Sequence, residues 1–272
     1  MLRTLGAAAA ACALLAPDVG RAVPIQFAAT GAAAADIQSG VDSFVSAVGD
    51  PVNGNDPGPL PGGRRRIDWD GGGATDPSVV GTPFTGFENI RGATMTTPGT
   101  GFIQGDPAAL AAQFANPDLA DDFAAFSPLR LFVPIDSNVT DVTFSIPGTA
   151  GATAATVSAF GVVFSDVDVA GSTTMQFFTT GDVPLGDPFE VPATAGDATF
   201  SFLGVLFDAG ETITRVRITT GNAALGPADV PGEIDVVAMD DFIYAEPVPE
   251  PGTLLLLAVG LAGLVAGGRP RA

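Results

Sequence analysis

The chain has no histidine and no lysine, and its single cysteine, Cys12, lies close to the N-terminus. These absences exclude most familiar catalytic machinery. A Ser-His-Asp triad, a Ser-Lys dyad, a phosphate-binding P-loop and a pyridoxal Schiff base each need a side chain that is missing here. A zinc site of the usual kind needs several His or Cys ligands. With Cys12 in a segment that reads as a leader, the processed protein would have no disulfide and no thiol nucleophile. Aromatic side chains with a polar handle are scarce as well: one Trp and one Tyr stand beside 19 Phe. That leaves little for stacking against sugars, because Phe is mostly core.

All 11 basic residues are arginine, against 30 acidic ones, for a formal net charge of −19. Nucleic acid is therefore excluded as a partner, since its binding rests on cations that neutralise phosphates. Of the acidic residues 24 are Asp and 6 are Glu. Asp favours turns and calcium loops, so the imbalance fits a loop-rich β protein that uses divalent cations. Plain solubility explains it equally well. Hydrophobic residues make up 46% of the chain, enough for an apolar core, while 35 Gly and 23 Pro suit a fold with many turns.

Both ends read as addresses. Residues 1–35 hold a secretory signal: Arg3 near the start, an apolar run from Leu5 to Ala16, then small residues. Cleavage is expected after Ala22 or among the alanines before Asp36. At the other end, residues 246–272 contain Pro249-Glu250-Pro251, a thirteen-residue apolar stretch carrying Leu254, Leu257, Leu261 and Leu264, and a closing Arg269-Pro270-Arg271. The stretch is short for a stable span, which needs about 20 residues. The arginines would stay cytoplasmic while the body of the protein sits outside. This three-part tail resembles the PEP-CTERM family of exosortase substrates. The resemblance implies recognition at Pro249, Glu250 and Pro251, removal of the tail, and delivery to the envelope or extracellular matrix. The implied partners are exosortase and the secretion machinery, with only transient membrane contact through the tail.

Between the ends, residues 36–63 read as a short amphipathic helix followed by a Pro/Gly-rich linker. Ile37, Val41, Phe44, Val45 and Val48 recur at helical offsets, and Gly49 and Pro51 stop the run. Residues 64–245 read as the ectodomain. It begins with Arg64-Arg65-Arg66, which on so acidic a protein is expected to pair with nearby carboxylates. About ten short segments of period 2 follow, Thr140–Ile146 and Thr212–Thr219 among them; Phe160–Phe164 and Phe202–Phe207 are continuous apolar runs of the kind central strands carry. The spacing predicts an all-β fold, an antiparallel β-sandwich of jelly-roll type, with the short N-terminal helix and hydrophobic helices at both termini. Residues 105–122 are expected to be irregular. Segments such as Arg65–Gly71, Phe160–Asp168 and Met239–Tyr244 resemble uncharacterised ectodomains that accompany PEP-CTERM tails, a resemblance that implies a domain boundary and no activity.

Candidate chemistry is confined to carboxylates. Asp166 and Asp168, two apart in a strand, would share one face about 7 Å apart. The placement of Glu88 and Asp241 resembles that of calcium ligands in jelly-roll carbohydrate-binding modules. Glu88, Asp166, Asp168 and Asp241 are therefore the candidate calcium ligands; turn-capping or solvated aspartates are the other reading. Asp68-Trp69-Asp70 could serve as a sugar platform, although a lone Trp more often anchors a core. The expected role is noncatalytic, a structural or adhesive component of the surface or exopolysaccharide. The alternatives are a lectin-like module with structural calcium, and a glycoside hydrolase working with two carboxylates.

Overall fold

In the computed structural model, residues 23–71, 76–226, 233–250 and 252 are described. The chain opens with β1 (Ile25–Gly31), α1 (Ala34–Val48), β2 (Arg64–Ile67), β3 (Ser78–Gly81), α2 (Glu88–Arg91), β4 (Ala93–Thr96) and β5 (Gly101–Gly105). Two short helices follow, α3 (Pro107–Phe114) and α4 (Leu119–Asp122), then β6 (Leu131–Ile135), β7 (Val139–Phe144), β8 (Ala155–Thr156) and β9 (Ala159–Ser165). The remainder is β10 (Thr174–Thr179), β11 (Val183–Pro184), β12 (Phe189–Glu190), β13 (Phe200–Leu206), β14 (Arg215–Thr219), β15 (Ala238–Ala245) and β16 (Val248–Pro249). The strands pair antiparallel in an eight-stranded sheet ordered β1-β13-β9-β15-β6-β5-β3, with β2 also on β15, and a six-stranded sheet ordered β11-β10-β14-β7-β4, with β12 on β10.

The two sheets share one apolar core. Phe144 of β7 meets Phe160 of β9 and Tyr244 of β15 at centroid distances of 6.0 and 5.5 Å. The other face of the larger sheet is covered by α1, whose Ile37, Val41 and Phe44 are buried. Phe44 lies 5.6 Å from both Phe27 and Phe202. It fits because Gly161 and Gly204 sit opposite one another in the sheet; a Cβ on Gly204 would come within 2.5 Å of its ring. Burial from both sides explains why β9 is buried at every position and runs without a polar side chain from Ala159 to Phe164 rather than alternating. At the other end of the same sheet, α3 and α4 cover a smaller cluster of Ile103, Leu110, Leu119, Leu131 and Val133.

Several boundaries differ from the sequence reading. β1 lies within residues 1–35, yet it pairs with β13 over its whole length. A leader cut after Ala22 would leave β1 intact, whereas one cut among the later alanines would remove an edge of the sheet. β1 and α1 thus belong to the module that was expected to begin at residue 64. The stretch 105–122 holds α3 and α4 instead of irregular chain, and Asp106 caps α3 by accepting from the Ala109 N–H at 2.8 Å, with Pro107 in the first turn. Among the described residues no helix is long and apolar enough to cross a membrane. The expected hydrophobic helices at both termini, with Leu254, Leu257, Leu261, Leu264 and Pro251, lie outside the described residues.

Candidate functional site

β15 is the strand around which the notable polar groups gather. One edge pairs with β9; the other is divided between β6, at Met239, and β2, at Phe242–Ala245. Where the sheet branches, the register against β9 slips by one residue between Met239 and Phe242, so Asp240 and Asp241 form a bulge. Both are buried. The Asp240 carboxylate accepts from the backbone N–H of Phe126 (2.7 Å), Asp241 (2.8 Å) and Ser127 (3.2 Å), and from the Ser127 hydroxyl. Asp241 pairs with Arg66 and contacts Ser127 Oγ at 3.0 Å. Asp70 accepts from the N–H of Leu129 and Arg130. Three carboxylates thus hold the loop that leads into β6. Burial pushes Asp240 well above the ordinary carboxylate value, aided by the Asp241 charge and opposed by the backbone donors. Burial also raises Asp241, while Arg66 and Ser127 pull it down. Arg66, Ser127 and Asp241 line a groove of about 790 Å³ whose far wall is α1, at Gln38, Val41 and Val45.

At its C-terminal end β15 runs into Glu246, and there the second arginine of the triplet is used. Arg65 is fully buried and grips Glu246 with two bonds, Nε at 2.6 Å and Nη2 at 2.7 Å. Its Nη1 donates to the carbonyls of Gly54 and Asp56, and Glu246 also accepts from Asn53 and the Leu60 N–H. Arg64 pairs with Asp50. All three arginines therefore meet carboxylates as expected. Two of those partners, however, lie on or beside the last long strand, not in the neighbouring chain. Past Pro247, Val248 and Pro249 pair with Thr156 and Ala155 of β8, and Glu250 lines a pocket of about 570 Å³ with Glu88, Thr143, Ser145, Asp182 and Arg215.

A third polar group lies on the six-stranded sheet. Asp141 of β7 accepts from Arg215 (2.6 Å) and, with both oxygens, from Arg217 (3.0 and 2.7 Å) on β14. Arg215 also covers the Phe178 ring at 3.7 Å. This cross-strand cluster went unseen in sequence; its signal was the alternation Arg215, Arg217 in a strand-like segment.

The four expected calcium ligands fall in three separate surroundings. Glu88 opens α2 and accepts from Thr94 Oγ1 at 2.9 Å. Asp241 is in the bulge with Arg66. β9 ends at Ser165 and Asp166 takes φ +71°, so the two-residue alternation expected of Asp166 and Asp168 does not apply there. Asp168 accepts from the Gly196 N–H, and its own N–H donates to Asp235; burial raises its pKa, with the Gly196 bond opposing. Asp235 also accepts from the Val169 N–H and Ser172, making it the turn-capping aspartate of this corner, which the sequence reading missed. Among the described residues no group of three or more Asp or Glu is arranged to hold a metal ion. Trp69 is fully buried, stacked on Phe132 at 3.8 Å and edge-on to Phe242, so it is a core anchor and not a sugar platform.

The molecule is thus an antiparallel two-sheet module whose last long strand leads, within three residues, into an acidic Pro-Glu-Pro element. That element lies in a PEP-CTERM protein-sorting motif, whose family model matches residues 247–272. The motif implies an exported surface protein, with a membrane-anchored precursor and exosortase as its processing partner. No curated protein and no solved structure matches the chain.

Proposed function

We propose that the chain carries a noncatalytic jelly-roll β-sandwich to the cell envelope, where it acts as a structural or adhesive component of the surface or its exopolysaccharide. The observation that carries this reading is the lack of any spacer: the central strand β15, Glu246 and the sorting motif follow one another directly, so whatever holds the tail holds the module. The jelly-roll assignment is supported by strand order. β6-β15-β9-β13 in one sheet and β7-β14-β10-β11 in the other alternate as two nested Greek keys require, with the chain crossing between sheets from β6 to β7, β9 to β10 and β13 to β14. The noncatalytic reading is supported by how the carboxylates are used. Asp141, Asp241 and Glu246 are taken by arginines, and Asp240 by backbone donors. A hydrolase needs two that face substrate.

The test begins with the full chain in an exosortase-bearing host. The mature form should collect in the envelope or extracellular fraction, and a variant with Pro249→Ala, Glu250→Ala and Pro251→Ala should remain as membrane-bound precursor. Purified 23–250 protein should then adhere to the host's exopolysaccharide without shortening it. Release of reducing ends would overturn the noncatalytic reading. Retention by neutral sugars alone, without any effect on matrix cohesion, would favour the lectin-like alternative.

A further inference from the structure

The front of the sorting motif does not hang clear of the module. β16 pairs with β8 in register, Val248 opposite Thr156 and Pro249 opposite Ala155. Upstream, Glu246 is fixed by Arg65, and its N–H donates to the Gly63 carbonyl at 3.0 Å. Only Pro247 separates that anchor from the ladder. The two sides of the ladder differ in firmness. β8 is buried at both positions, the next residue, Val157, exchanges backbone bonds of 3.0 and 2.8 Å with Ile213, and Ala154 bridges to Ser145. By contrast Val248 is 42% exposed, and because Pro249 has no N–H, Val248 is the only residue of β16 with one to give.

We propose that the folded module restrains its own sorting motif, with β8 as the positioning surface for residues 248–249, and that exosortase must lift β16 from β8 before it acts. A backbone already paired in a ladder cannot offer the same groups to an enzyme that takes its substrate as an extended strand. The lopsided burial means β16 leaves while β8 stays in place. This inference rests on reading the tail as an exosortase signal.

The test uses the full-length precursor in its host. Val248→Cys with Thr156→Cys places two thiols on residues that face each other across an antiparallel ladder, within reach of a disulfide. The expected results are spontaneous oxidation of the folded precursor and a processing block that reductant relieves. A pair that stays reduced in the folded precursor, or a cross-linked precursor processed at the normal rate, overturns the proposal. Separately, Val248→Pro removes the remaining donor, and pulse-chase should show processing about tenfold faster, the factor that corresponds to about 1.4 kcal/mol. Val248→Ala keeps the N–H and should process at the parental rate. An unchanged or slower Val248→Pro variant overturns the restraint. If the parental precursor is never processed, the sorting reading fails instead; the disulfide reports docking either way.

Discussion

Arg65→Ala should be the most damaging single polar substitution in the module. Arg65 is wholly enclosed, and its partner's side chain is 3% exposed. Truncation removes two charge-assisted bonds to Glu246 and leaves the carbonyls of Gly54 and Asp56 without their guanidinium. Glu246 would then be a buried carboxylate supported only by Asn53 and the Leu60 N–H. Breaking a buried pair from one side costs about 3–5 kcal/mol, a large fraction of the roughly 5–15 kcal/mol that holds a domain together. At about 2–4 °C per kcal/mol for a chain of this size, Tm should fall by roughly 10 °C. The assay is urea unfolding of residues 23–250 followed by Trp69, the only tryptophan, whose buried ring should redden in emission when exposed. Replacing both partners, Arg65→Met with Glu246→Met, should recover much of the loss, because no uncompensated charge remains. A loss below about 1 kcal/mol for Arg65→Ala, the worth of an exposed pair, would refute the reasoning. So would a double variant whose loss equals the sum of the two single ones.

Gly204→Ala drives a methyl into the Phe44 ring and should cost about 1–3 kcal/mol, read by the same urea titration, with near-neutral behaviour counting against the packing of α1. Burial raises the pKa of Asp240 and Asp241, so the native state binds more protons than the unfolded chain between the ordinary Asp value and the raised one. Stability should therefore fall as pH rises through that window, and Asp240→Asn should flatten the slope; a module that gains stability with rising pH there would contradict it. Glu88, Asp166, Asp168 and Asp241 occupy three surroundings, so they do not act as one site, and exchanging EGTA for calcium should leave Tm unchanged; a rise of several degrees would reveal a site elsewhere.

Features governed by neighbours in the chain were legible from sequence. The apolar run Phe160–Phe164 became a doubly covered strand, and the helical spacing of Ile37, Val41 and Phe44 became α1. What could not be read was set by distant partners. Ile25–Gly31 looks like the tail of a leader until β13, far along the chain, pairs with it. The arginine triplet announces ion pairs but not that Arg66 reaches Asp241 within β15 and Arg65 reaches Glu246 just past its end. Asp166 and Asp168 satisfy strand spacing, yet one positive φ at Asp166 ends the alternation. The Asp240-Asp241 bulge depends on β15 serving β9, β2 and β6 together, a demand no local pattern expresses.

Charge is where composition and structure meet. The described arginines 64, 65, 66, 215 and 217 are all committed to carboxylates, four of them to three partners whose side chains are at least 88% buried: Glu246, Asp241 and Asp141. Arg91 and Arg130 hold backbone carbonyls, of Arg66 and Asp76. Scarce positive charge has gone into tying β2 to β15 and β14 to β7, while most of the other described carboxylates are exposed. A surface of that sign repels polyanions over about a Debye length, roughly 8 Å at physiological salt. Attraction to an acidic exopolysaccharide would therefore have to run through divalent cations or through neutral stretches of the polymer. Any adhesive contact made by this module would accordingly be short-range or bridged by cations, not direct electrostatic capture.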